Sequence, residues 1–262
     1  MRLDELKGKK ERHSEDTLSR LRALAHTKQY KYKVSRAIDD TEVFMNTVKY
    51  PAVSCGGGKD GTAAAIIARL VNPSIPIYHA TPPNPLPGRE MHLRILAQHM
   101  GGEWREVDYW WDVEAVLNGH MPYPHELKIK KLREAMAADG IDGVIMGVRM
   151  AESKGRTING YIHGTVYQLL DKTWRCLPVL RWTAEETLAL SLFYGVPINP
   201  VYKQDIMLSS LEYLRDGTWW PHGVSSSHEF GEWIKFYYPE LLDKYRIAER
   251  IMDGENSPLC LI

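Results

Sequence analysis

Nine residues, Ser54-Cys-Gly-Gly-Gly-Lys-Asp-Gly-Thr62, are of the types that hold a polyanion. Gly56, Gly57 and Gly58 let the backbone approach a ligand closely. A helix opening at about Gly61 or Thr62 would aim unpaired N–H groups and its positive dipole end at phosphate oxygens. Lys59 adds a cation, and Ser54 and Thr62 add hydroxyls. Asp60 is unusual beside phosphate; it must cap amides or meet a metal. The Walker pattern is excluded because Lys59 is followed by Asp60. Gly56 to Gly61 fits the dinucleotide spacing only as any glycine run does, and no acid ends the next strand. The competing reading is an ordinary glycine-rich turn. A strand before the loop and a helix after it favour the phosphate cradle.

A second constellation is Gly147-Val-Arg-Met-Ala-Glu-Ser-Lys-Gly-Arg156. Arg149 and Arg156 offer fork-shaped donors that match phosphate oxygens. Glu152 is placed to orient one of them, and Ser153 lies between. A surface cluster of ion pairs is the plainer alternative. His79 ends a strand at the ligand edge and is expected to line a nucleoside pocket. His120, His125, His222 and His228 show no His-x-x-x-His pair, so no metal site is expected from them. Trp219-Trp220-Pro221-His222 could stack on a base, although core packing is the commoner use of such a tract.

These residues need a scaffold. Ser14 is expected to cap a helix carrying Leu18, Leu21, Leu24 and Ala25. A second helix is expected over 35–47. Tyr50 to Cys55 predicts a buried strand and Thr62 to Val71 a helix. Ile75 to Ala80 predicts a second strand. The proline-rich run Thr81 to Gly88 must be a loop, followed by a helix over 89–100. Strands are expected over Glu103–Tyr109 and Asp142–Gly147, with a helix over Glu126–Ala138 between them. A strand or extended piece is expected over Trp174–Leu180. Thr183 caps a helix over Ala184–Tyr194. Alternation of strand and helix implies a doubly wound, mainly parallel α/β sheet with helices on both faces. Ligands bind such sheets at the carboxyl ends of the strands.

The chain of 262 residues carries 33 Lys/Arg and 33 Asp/Glu, so its formal charge is zero. Residues 1–36 hold eleven Lys/Arg against five Asp/Glu, a surplus of six positive charges. That basic arm is either a solvated helix or a contact for nucleic acid. The three cysteines, Cys55, Cys176 and Cys260, form no Cys-x-x-Cys pair. A zinc knuckle or a four-cysteine iron–sulfur cluster is therefore excluded for this chain alone. Cys55 and Cys176 are expected to be small buried residues. No membrane span or secretion signal is expected, and the setting is expected to be cytoplasmic.

The glycine segment resembles the pyrophosphate loop of the PP-loop ATPase superfamily, Ser-Gly-Gly-x-Asp-Ser/Thr, with glycine at both serine positions (Gly56 and Gly61). The segment from Gly147 to Arg156 resembles the Gly-Ile/Leu-Arg-x-x-Glu-Ser-x-x-Arg of its phosphoadenosine phosphosulfate reductase-like branch. Leu177 to Glu186 and Val196 to Tyr202 resemble two architectural blocks of that branch, so the likeness spans roughly residues 48–205. It implies an adenine nucleotide α-hydrolase-like domain over 48–205, with a helical arm over 1–47 and a helical, irregular region over 206–262. It also implies ATP with Mg2+ and cleavage between the α- and β-phosphates to adenylate an acceptor, with Lys59, Asp60, Arg149 and Arg156 at the chemistry. The expected partners are the nucleotide, the acceptor and a second copy of the chain in a homodimer. The sulfonucleotide reductases of that branch carry a Glu-Cys-Gly-Leu/Ile-His cysteine, and Cys260 lacks that context. A reductase or its descendant, and a non-catalytic nucleotide binder, remain as alternatives.

Overall fold

The computed structural model describes residues 15–81, 85–110, 112, 115, 124–203 and 228–252. Residues 1–14 of the basic arm, with Ser14, and also His120, His222, the Trp219–Trp220 tract and Cys260 lie outside the described residues.

Six strands form one sheet in the order β3-β2-β1-β4-β6-β5. They are β1 (Pro51–Ser54), β2 (Ile77–Thr81), β3 (Trp104–Asp108), β4 (Gly143–Met146), β5 (Val166–Gln168) and β6 (Trp174–Cys176). All neighbours pair in parallel except β5, which runs antiparallel on β6. The expected doubly wound α/β sheet is therefore present. Its strand order reverses between β1 and β4, the switch point where such sheets bind ligands. Ser54 pairs with Met146 there, so the glycine loop and the segment after Met146 leave the sheet side by side.

The helices are α1 (15–25), α2 (Lys28–Thr47), α3 (Lys59–Val71), α4 (Arg89–Met100), α5 (Pro124–Ala138), α6 (Lys154–His163), α7 (Ala184–Phe193), α8 (His228–Tyr237) and α9 (Leu242–Met252). Arg69 of α3 donates to the Gly101 carbonyl at the end of α4 (3.0 Å). Tyr78 of β2 reaches Asp139, just past α5, at 2.5 Å. The side chains of His79, Thr81, Trp104, Glu106 and Asp108 instead share a cleft with α4. The two faces of the sheet are thus both covered.

Several elements differ from the sequence reading. The second helix starts at Lys28 rather than 35, because the Thr27 hydroxyl accepts from the Tyr30 N–H at 3.2 Å. The helix after the glycines starts at Lys59, with Gly58 as its cap. The extended piece over Trp174–Leu180 is a strand only to Cys176 and then turns. β5 and α6 had no expectation. β5 is three residues long, and α6 contains Gly155, Asn159 and Gly160, all poor helix formers. The Ser153 hydroxyl caps α6 by accepting from the Arg156 N–H. A side chain at Gly160 would collide with Met150, so the glycine lets α6 lie against that residue.

The helix that packs most closely on α3 is α7. Its run of Ala, Thr and Leu is buried from Thr187 to Leu190. A full capping box starts it: Thr183 N–H donates to Glu186 at 2.8 Å and Glu186 N–H donates to the Thr183 hydroxyl at 3.2 Å. Lys33 of α2 bonds the same Glu186 carboxylate at 2.6 Å. Thr183→Ala is expected to lower stability by about 1 kcal/mol, read as the shift in a guanidinium unfolding midpoint.

Candidate functional site

Among the glycines of the loop, Gly57 has positive φ (84°), so it needs glycine for conformational reasons. Gly56 and Gly61 do not. A Cβ at Gly61 would meet the Gly56 nitrogen at 3.4 Å, and one at Gly56 would meet Lys128 Nζ at 3.9 Å. Both are ordinary contacts, so the backbone does not force the loss of the two family serines. The Lys59 N–H donates to the Tyr202 hydroxyl at 3.0 Å. The Asp60 and Gly61 N–H groups are in the first turn, where a helix supplies no acceptor. They have no backbone acceptor among the described residues.

Asp60 is the electrostatic centre beneath the loop. Its Oδ1 accepts from Arg149 Nε at 2.7 Å and from the Thr187 hydroxyl at 3.2 Å. Its Oδ2 lies 3.3 Å from Lys59 Nζ. The side chains of Lys59 and Arg149 are 2% and 0% exposed. Lys59 also stands over the Tyr202 ring at 5.5 Å. The sequence reading aimed Lys59 and Arg149 at a ligand and gave Asp60 to amides or a metal. In the fold, Asp60 brings these side chains together, joining the start of α3 to the segment that follows β4. No group of three or more His, Cys, Asp or Glu that could hold a metal exists among the described residues. Asp60, engaged by two cations and a hydroxyl, does not fit a magnesium ligand.

Gly147 explains why β4 can run so close to this loop. A Cβ there would overlap the Asp60 carbonyl and the Gly61 nitrogen, all backbone atoms. Past it, Glu152 accepts from the Arg149 N–H at 3.0 Å and from Arg156 Nη1. Arg156 is 42% exposed on the outer side of this pair, whereas Glu152 is 8% exposed. Ser153 is engaged as the α6 cap. Thr62 is buried on α3 and Ser54 half-buried at the end of β1.

His79 was expected to end its strand; β2 instead runs on to Thr81, which leaves His79 at its middle. Its Nε2 is 2.9 Å from the Thr81 hydroxyl, and burial, helped by the positive Arg89, pushes its pKa down to about 4. The ring is therefore neutral at pH 7. Beyond it, between α4 and β3, lies a cleft of about 410 Å³ that includes Arg94, Trp104 and Asp108. Cys55 and Cys176 are 1% and 0% exposed, and burial pushes the Cys176 thiol up to about 12. Arg89, Lys128, Thr187 and Tyr202 were not singled out in sequence. Tyr202 lay within a resembling block, but no motif marks the other three. No described helix is long and apolar enough to cross a membrane.

Residues 50–219 match the family model described as the phosphoadenosine phosphosulfate reductase domain. No match to a curated protein was found. Among solved structures, the chain is similar to phosphoadenylyl-sulfate (PAPS) reductase from Candida auris in its phosphate complex. That likeness has a TM-score of 0.54 at 12% identity, covering 75% of this chain and 98% of that one. It is also similar to Candida glabrata FMN adenylyltransferase in complex with ATP, with TM-score 0.51, 12% identity and coverage of 74% and 68%. The same enzyme with FAD and inorganic pyrophosphate gives 0.50, 12%, 74% and 70%. At these identities the likeness shows the fold.

Proposed function

Because the chain belongs to the phosphoadenosine phosphosulfate reductase domain family, a branch of the PP-loop superfamily, we propose that it binds ATP at the glycine loop and transfers the adenylyl group to an acceptor. The observation that carries this reading is the first turn of α3. It opens at the sheet's switch point with the Asp60 and Gly61 amides available to phosphate oxygens. Arg156, held by Glu152 and partly exposed in the segment after β4, is the guanidinium suited to an anionic group of nucleotide or acceptor. Arg149 and Lys59 act on the loop through Asp60, as positioning residues. The acceptor attacks the α-phosphorus with a lone pair. The bond from that phosphorus to the bridging oxygen breaks, pyrophosphate leaves with the electron pair, and the acceptor's proton passes to solvent. Such a reaction needs mainly positioning and charge stabilisation, which a fixed row of amides supplies. The cleft beyond His79 has the volume of a small-molecule pocket and is where we place the acceptor.

Sulfonucleotide reduction is the reading that the family's name favours. It needs a reactive thiolate, and the two described cysteines are buried. To test the adenylyl-transfer reading, the purified protein is incubated with α-labelled ATP and a panel of nucleobases, short nucleic acids and carboxylic acids. Labelled AMP or adenylated acceptor together with pyrophosphate is expected. Sulfite release from a sulfonucleotide with thioredoxin, and no pyrophosphate with any acceptor, would overturn it.

A further inference from the structure

The surplus of positive charge in residues 1–36 has no part in the nucleotide site. Within its described part, Lys33 bonds Glu186, Arg20 bonds Glu185 and Arg36 lies 3.5 Å from Asp39. Arg22, Lys28 and Lys31 are exposed and have no ion-pair partner among the described residues. Lys28, Lys31 and Tyr32 stand three and four residues apart at the start of α2, so they share one face of its first turns. The Tyr32 ring is 67% exposed on that face.

Direct contacts lead from this face toward the segment after β4. Tyr30 packs its ring edge-on against Trp182 at 5.6 Å and donates its hydroxyl to the Glu186 carbonyl at 2.8 Å. The next residue of α7, Thr187, is the one that bonds Asp60. Arg181 precedes Trp182 and is exposed, again with no ion-pair partner among the described residues. The Leu180 carbonyl accepts from the Met150 N–H at 2.8 Å, and the Met150 carbonyl accepts from the Thr157 hydroxyl at 2.8 Å. Those bonds seat the first turn of α6, where Lys154 is exposed and likewise without an ion-pair partner among the described residues. Two turns on, Tyr161 is 74% exposed, with Ile158 and Ile162 exposed beside it. The acids met along this path, Glu152, Glu185 and Glu186, are each bonded to a cation already. Five cations and two tyrosine rings thus lie open between the N-terminal arm and α6.

We propose that this surface binds single-stranded nucleic acid and leads it toward the glycine loop. Arg22, Lys28, Lys31, Arg181 and Lys154 are separated point charges, which match the repeated phosphates of a backbone. Tyr32 and Tyr161 offer rings to bases, and only unpaired bases have faces free to stack on them. An anionic lipid surface needs large apolar side chains along the whole contact, and on this path they are confined to Ile158 and Ile162. That the nucleic acid is also the acceptor rests on the adenylyl-transfer reading; that it binds does not.

The test is fluorescence anisotropy of a labelled oligonucleotide of about 16 nucleotides, the upper end of single-strand site sizes. It is titrated with the full chain, without ATP, at several salt concentrations. The triple variant Lys28→Gln, Lys31→Gln, Arg181→Gln is expected to bind at least about ten-fold more weakly and to flatten the slope of log affinity against log salt by about 2, or roughly 0.7 for each of three lost phosphate contacts. Its fold is expected to be unchanged, because all three side chains are exposed. Tyr32→Ala is expected to cost at least about five-fold, the low end for one stacked base. A triple variant that binds as tightly as wild type overturns the proposal, and so does a duplex of the same length that binds as tightly as the single strand. Binding to vesicles of anionic phospholipid without binding to the oligonucleotide also overturns it and makes the surface a membrane contact. Oligonucleotide binding with no labelled product from ATP upholds the surface and removes only the acceptor role. Adenylation of a small acceptor by a chain that binds no oligonucleotide does the reverse.

Discussion

Asp60→Asn is expected to destabilise the protein by about 3–5 kcal/mol, the cost of removing one partner from a buried ion pair. Asp60 is the carboxylate shared by Lys59 and Arg149, whose side chains are 2% and 0% exposed. Asparagine keeps the shape and can still accept from Thr187, so the loss reports charge and not volume. Replacing Arg149 with methionine in the same background is expected to restore part of the stability, because the uncompensated guanidinium is then gone. Unfolding midpoints in guanidinium for the two single variants and the double variant measure the coupling. A coupling below about 0.5 kcal/mol, the range of independent sites, would mean that Asp60 is not what holds Arg149. The same variant is expected to weaken ATP binding, since the side chain that ties the first turn of α3 to β4 and α7 has lost its charge.

Gly147→Ala carries the second large effect. Nothing about φ requires glycine here; the requirement is space. A methyl group would overlap the carbonyl of Asp60 and the nitrogen of Gly61, and backbone cannot swing aside as a long side chain can. Either β4 or the start of α3 must move. The overpacking costs about 1–3 kcal/mol. Ligand binding is expected to suffer too, because the displaced atoms are the amides proposed to hold phosphate. A misplacement of roughly 1 Å costs on the order of 100-fold in the rate of a positioned reaction, so adenylyl transfer is expected to fall as well. ATP affinity is expected to fall while the variant stays folded by circular dichroism. Full affinity in a folded Gly147→Ala would show that the contact of β4 with the loop is irrelevant to binding.

Much of the scaffold was legible because its signals are local. The strand before Gly56, the helix after it and the capping box at Thr183 are each written within a few residues. The glycine loop and the segment from Gly147 to Arg156 could be recognised separately. Their adjacency follows from the parallel pairing of β1 with β4. What could not be read was which charge meets which. Asp60 and Arg149 are 89 residues apart, and Asp60 and Thr187 are 127 apart. Arg89 follows a proline-rich loop with no motif around it, and only the fold shows that it is buried against Gly56. β5 was too short, and α6 too rich in glycine and asparagine, for periodicity to mark them. Their formation rests on the pairing with β6, the Ser153 cap and the packing of Gly160 on Met150.

If the first turn of α3 holds a nucleotide's phosphates, its amides must respond when the nucleotide binds. Titrating a non-hydrolysable ATP analogue into 15N-labelled protein tests this directly. The amide resonances of Asp60 and Gly61 are expected to show the largest shifts, with the Arg156 side chain moving at the same ligand concentration. Binding that leaves the Asp60 and Gly61 amides unmoved would contradict a phosphate site at this turn.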